Sequence, residues 1–155
     1  MLNAIISGSH RKNSQTRKIA GYLESAWKKL DLANTADIID LTGNPIPLWD
    51  DDVWTGKGER VEIWKPYAER LKKAEVLTVV SPEWHGMVPA GLKNFFLYWG
   101  AKEVGHKPAL IVTDSSSRGG SYPVQELRIS SYKNSRVLYI PEHIIIRDNE
   151  KMLNA

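Results

Sequence analysis

Apolar residues along the chain fall into two alternating rhythms. Leu2 to Ser7 is a short run of buried-type residues ending at Gly8, the pattern of a strand. After Ser14, a residue type suited to capping a helix, Ile19, Leu23, Ala26, Trp27 and Leu30 recur every third or fourth position and mark one helical face. Ala36 to Leu41 returns to the strand rhythm. Thr42 to Glu59 carries Pro45, Pro47, three consecutive aspartates from Asp50, Gly56 and Gly58, and predicts a long loop of the kind that is functional or mobile. Val61, Trp64, Ala68 and Leu71 mark a second helix, and Val76 to Val80 a strand buried on both faces. Pro89 opens a third helix striped by Leu92, Phe95, Phe96 and Trp99. Ala109 to Thr113 reads as a strand, Pro123 opens a weaker helix carrying Val124 and Leu127, and Arg136–Ile140 with Ile144–Ile146 supplies a fifth strand region. Strands alternating with helices predict an α/β fold: a doubly wound, open parallel five-stranded sheet with helices on both faces.

Composition narrows this picture. The 155 residues suit a single domain spanning 1–155, and 42% apolar with 25% charged residues suits a packed globule. The absence of cysteine excludes disulfides, thiolate nucleophiles and cysteine-held metal clusters. A net charge of +3, spread along the chain, favours small anionic ligands over nucleic acid, for which no basic–aromatic pattern exists. His10, His85, His106 and His143 lack metal-ligand spacing, so no metal is expected, and the aspartate triplet reads as a solvated loop. No apolar stretch approaches the roughly 20 residues of a membrane span. The N-terminus does not read as a signal peptide, so the expected location is the cytoplasm.

In open parallel sheets ligands bind outside the carboxyl ends of the strands. Three loops lie there. Gly8-Ser9-His10-Arg11-Lys12-Asn13-Ser14-Gln15-Thr16 leads into a helix, whose unpaired N–H groups and positive dipole end suit a phosphate. Hydroxyls and Arg11 add donors, but the dinucleotide and nucleotide-loop glycine fingerprints are missing. On this loop alone, a terminal monophosphate site and a plain serine cap both remain open. Ser81-Pro82-Glu83-Trp84-His85-Gly86-Met87-Val88-Pro89 is a rigid turn with an aromatic at its apex, readable as a ring-binding edge or as simple packing. Asp114 to Tyr122 is rich in small residues and reads as a close-approach surface or a flexible connection.

Together these residues carry a resemblance. The first loop is similar to a G-S-x-R-x-x-S phosphate loop at Gly8, Ser9, Arg11 and Ser14. The second is similar to S-P-E-Y-N-G-x-x-P-x-x-L-K-N through Ser81, Pro82, Glu83, Gly86, Pro89, Leu92, Lys93 and Asn94. Both belong to the NADPH-dependent FMN reductase family of flavodoxin-like proteins, which includes quinone, azo-dye and chromate reductases. The resemblance implies strand order 2-1-3-4-5 and a non-covalent FMN. Its phosphate would lie on Ser9, Arg11, Ser14, Gln15 and Thr16. Its ring would lie against Pro82, Glu83, Trp84, His85 and Gly86 and the third loop, including Ser116, Ser117 and Gly119. It also implies hydride transfer from NADPH or NADH to flavin N5, then on to a second acceptor in ping-pong order. That acceptor would be a quinone, free flavin, azo dye or oxyanion. The cofactor carries the chemistry, so no catalytic side chain is expected. A homodimer or homotetramer is implied as well.

The chain departs from the pattern in places. Trp84 and His85 replace the usual Tyr and Asn, with His85 a possible modulator of the pH profile. Leu97 stands where an Asp is usual. The usual final helix has only Asp148 to Ala155 to draw on, so truncation or cover by another subunit is expected. Trp49 and Trp54 then read either as shaping a neighbour's flavin pocket or as anchors of the long loop. The alternative class is a flavodoxin-like electron carrier; such carriers are strongly acidic, and the slightly basic chain favours the enzyme.

Overall fold

The structure is a computed structural model that describes residues 1–30 and 35–153. Its elements run β1 (Leu2–Ser7), α1 (Gln15–Lys29), β2 (Thr35–Asp40), α2 (Glu59–Lys73), β3 (Val76–Pro82), α3 (Ala90–Tyr98), α4 (Ala101–Val104), β4 (Pro108–Asp114), α5 (Ser121–Ile129) and β5 (Leu138–Ile146). The five strands form one parallel sheet in the order β2-β1-β3-β4-β5, as the resemblance implies.

Side chains alternate across the sheet and feed two cores. Ala4 and Ile6 of β1 join the larger core with α2, α3 and α5, through Trp64, Leu71, Phe95, Val124 and Leu127. Ile5 points the other way and meets Ile19 and Ala20 of α1 with Val80 and Val112. The second core is small because no helix follows β5 among the described residues. The stretch from Arg147 to Leu153 folds back instead. Leu153 packs on the α1 side, and Lys18 Nζ donates to the Met152 carbonyl at 2.8 Å. Ile144, paired with Val112, stays 43% exposed, which a covering helix would have prevented. No helix follows β5 among the described residues, and residues 154–155 of that stretch lie outside them.

Three element boundaries differ from the sequence reading. α5 starts at Ser121, so Pro123 sits inside its first turn, where a missing N–H costs nothing. The third helix stops at Tyr98, and a short α4 follows; Trp99 is still buried just past the helix end. The fifth strand is continuous through Pro141. Its pairing jumps from Ala109–Tyr139 to Ile111–His143, an edge-strand bulge that places the proline where no ladder N–H is needed. Arg128 satisfies the bulged carbonyls, donating to Ile140 at 2.9 Å and Pro141 at 2.8 Å.

The long loop contains a 3-10 turn at Asp51–Thr55 and is tied down. Asn94 Oδ1 accepts from Trp49 N at 2.8 Å, its amide donates to the Pro47 carbonyl at 2.9 Å, and Tyr98 donates to the same carbonyl.

Candidate functional site

The parallel register ends β1, β3 and β4 at Ser7, Pro82 and Asp114, so the three loops that follow them converge. Gly8 makes the convergence possible. A Cβ there would stand 2.5 Å from Leu92 Cδ2 and 2.7 Å from the Val80 carbonyl oxygen. The first loop can therefore lie directly against α3 only because position 8 has no side chain.

Ser14 caps α1 in an extended conformation, its Oγ accepting from Arg17 N at 3.1 Å and keeping its own O–H free to donate. Ser9 is 1% exposed, and its Oγ accepts from Arg11 N at 3.3 Å. The Arg11 side chain has no partner among the described residues. The Thr16 hydroxyl is committed elsewhere: it donates at 2.9 Å to Asp114 Oδ2, and Asn149 Nδ2 donates at 2.6 Å to Asp114 Oδ1. Burial pushes the Asp114 carboxyl above its ordinary range, while these two hydrogen bonds pull it back.

The second loop is a two-residue hairpin. Trp84 and Met87 exchange backbone hydrogen bonds at 3.1 and 3.0 Å, and His85 and Gly86 both have positive φ, 52° and 72°, as a type I′ turn demands. The Trp84 ring meets His10 edge-on at 4.7 Å. Behind the hairpin, the Glu126 carboxylate accepts from Val88 N at 2.7 Å and pairs with Lys93 at 2.5 Å. Lys93 and Asn94 thus brace loops. Glu83 also braces: its carboxylate accepts from Gly120 N at 2.6 Å, locking the second loop to the third.

These loops enclose a cavity of about 230 Å³. Of the residues expected from sequence, Ser9, Arg11, Ser14, Gln15, Thr16, Pro82, Glu83, Trp84 and Ser116 line it together. His85 lies on an adjoining hollow with His10, Arg11 and Trp84. Gly86 faces Tyr122 on another surface. Ser117 and Gly119 support the third loop, their carbonyls accepting from Asp148 N and Arg147 Nε. Ser115, part of the third loop that the resemblance implies, lines the cavity as well, and so do Asn13, Asp114, Asn149 and Glu150, which sequence reasoning did not name as site residues. Asn13 and Asp114 lay within the candidate loops; Asn149 and Glu150 carried no signal.

A second groove, about 720 Å³, runs between the long loop and α3–α4, walled by Trp49, Trp54, Phe96, Leu97 and Trp99. Trp49 packs on the core while Trp54, 79% exposed, stacks edge-on against it at 4.9 Å. Among the described residues no cluster suits a metal ion, and no helix is long and apolar enough to cross a membrane.

Sheet order defines a flavodoxin-like fold, with the cavity beyond the carboxyl ends of the strands. Comparison with known proteins agrees. An oxidoreductase structure from Corynebacterium diphtheriae superposes with a TM-score of 0.75 at 20% identity, over 96% of this chain and 82% of that one. The NAD(P)H:(acceptor) oxidoreductase FerB from Paracoccus denitrificans gives 0.70 at 21% identity, over 92% and 77%. In sequence, the NADPH azoreductase of Bacillus sp. (strain OY1-2) is 25% identical over 147 residues, 92% of this chain and 74% of that protein. The FMN-dependent NADPH-azoreductase of Staphylococcus aureus (strain COL) is 26% identical over 151 residues, 97% and 79%. The family model for NADPH-dependent FMN reductase matches residues 1–151. The chain belongs to that family.

Proposed function

We propose that this chain binds FMN non-covalently in the cavity of the first and third loops and uses NADPH or NADH to reduce a small second acceptor. That acceptor would be a quinone, free flavin, azo dye or oxyanion. The observation that carries the reading is Arg11, a guanidinium without a partner among the described residues, beside the N-terminus of a 15-residue helix and on the cavity wall.

The donor set fits a phosphate. Arg11, the free O–H of Ser14 and the first-turn N–H groups of α1 would hold it, with Ser9 bracing the loop. Thr16 would contribute through its backbone N–H, since its hydroxyl serves Asp114. The ring would lie along Pro82 and the Trp84–Gly86 hairpin, where the His85 and Gly86 N–H groups make no backbone hydrogen bond. Ser116 lines the cavity together with Pro82 and Trp84. Exposed His85 at the hairpin tip would meet the acceptor. The chemistry FMN supplies when bound is a hydride relay from NAD(P)H to the second acceptor in ping-pong order, which requires no catalytic side chain. We place the protein in the cytoplasm as a homodimer or homotetramer, with exposed Trp54 and Leu97 at the contact, to be checked by sedimentation.

Flavin titration followed by anaerobic stopped-flow mixing with NADPH and NADH tests the reading. Bound flavin should bleach and then recover on adding a quinone or azo dye. No flavin uptake overturns the site. Uptake without bleaching makes the chain an electron carrier.

A further inference from the structure

The cavity has a second character that phosphate binding leaves unexplained. Asp114 and Asn149 line it at 1% and 5% exposure. The Asn149 amide turns its nitrogen to Asp114, and its Oδ1 is buried with no partner among the described residues. Gln15 Oε1, on the same wall, is also buried with no partner. Each Asp114 oxygen accepts one hydrogen bond and has a lone pair to spare. Buried acceptors left unmatched are a standing cost to a fold. A phosphate presents acceptors too, so it cannot satisfy them. Hydroxyl groups can, because they donate.

We propose that Asp114, Asn149 and Gln15 form a hydroxyl-binding wall that takes the polyol chain linking the phosphate of the ligand to its ring. This rests on the flavin reading above. Asn149 comes from the turn that follows β5. The turn is pinned in place: Asn149 N donates to the Ser115 carbonyl at 3.1 Å, Asp148 N to Ser117 at 3.0 Å, and Arg147 Nε to Arg118 at 2.8 Å. The turn after β5 therefore has a binding role: it delivers an amide oxygen to the ligand.

The test compares FMN with riboflavin, which keeps the polyol chain and lacks the phosphate, by quenching of flavin fluorescence. Asn149→Ala and Asp114→Asn should each weaken both ligands about tenfold, one hydrogen bond to a polar or charged partner. Arg11→Ala should weaken FMN and spare riboflavin. The wall is overturned if both variants bind FMN as the unmodified protein does. It is equally overturned if they lose FMN while riboflavin affinity is untouched. Asn149 lies in a turn, so Asn149→Ala decides the matter even if Asp114→Asn fails to fold, with thermal melts as the control. Failure of the unmodified protein to bind either flavin refutes the function and not this wall alone.

Discussion

A carboxyl group sealed between a threonine hydroxyl and an asparagine amide titrates differently from a surface aspartate. Burial raises the folded pKa of Asp114 above its unfolded value. The folded state therefore holds the proton over the interval between the two. The stability this contributes is complete below the ordinary carboxylate range and is lost as pH rises through the raised value. Asparagine does not titrate. The melting temperature of the unmodified protein, relative to Asp114→Asn, should therefore fall as pH increases across that interval. A pH-independent difference would show that the carboxyl is ordinary. Arg11 tests the other end of the cavity. Replacing it with alanine should cost roughly 1.5–3 kcal/mol of FMN affinity, the value of a hydrogen bond to a charged group. Isothermal titration would read it directly, and unchanged affinity would move the phosphate elsewhere. Gly8→Ala carries a structural prediction. Its methyl has nowhere to go between Leu92 and the Val80 carbonyl, so about 1–3 kcal/mol of stability should be lost, read from urea unfolding.

Elements show which local rules the tertiary structure overrides. α2 continues through the exposed Pro66, which should break it, because Trp64, Ala68 and Leu71 bury along one face and hold the turns together. The helical period of those three residues was the legible signal, and the proline was not enough to erase it. β5 is the opposite case. The sequence reading gives it in two pieces, Arg136–Ile140 and Ile144–Ile146, and only the bulge against β4, with Arg128 covering the carbonyls, joins them. Strand ends were legible, so the three loops of the site were too. Their inner bonds were not: Thr16 reaches Asp114 across 98 positions, and Asn149 reaches it across 35. No period or spacing encodes such a pairing. The hairpin at His85–Gly86 sits between these cases. Asn-Gly is the favoured pair for a type I′ turn, and His85 keeps its φ of 52° against a preference that asparagine tolerates better. His85→Asn should raise stability by about 0.5–1 kcal/mol, part of what the left-handed region costs a residue with a Cβ. Thermal unfolding measures it, and a loss would mean the imidazole makes contacts worth more than the strain.

At the scale of the whole molecule, the two sheet faces are unequal. One holds most of the core; the other relies on α1 and a folded-back tail. A ligand that bridges the first loop and that tail should stabilise the weaker side. At a free concentration near 100 times Kd, FMN should add about 2.7 kcal/mol. For a chain of this size that is roughly 5–10 °C in melting temperature. Calorimetry with and without FMN checks it, and no shift at saturation would mean the folded form is not the form that binds. The tail has a consequence in time as well. Asn149 reaches the cavity from near the end of the described chain, while Ser9 and Arg11 enter it from the beginning. During synthesis the phosphate loop leaves the ribosome early and must wait, half-built, until the turn after β5 emerges. FMN capture should therefore wait until that turn has emerged, and nascent chains stalled before Asp148 should not retain the flavin.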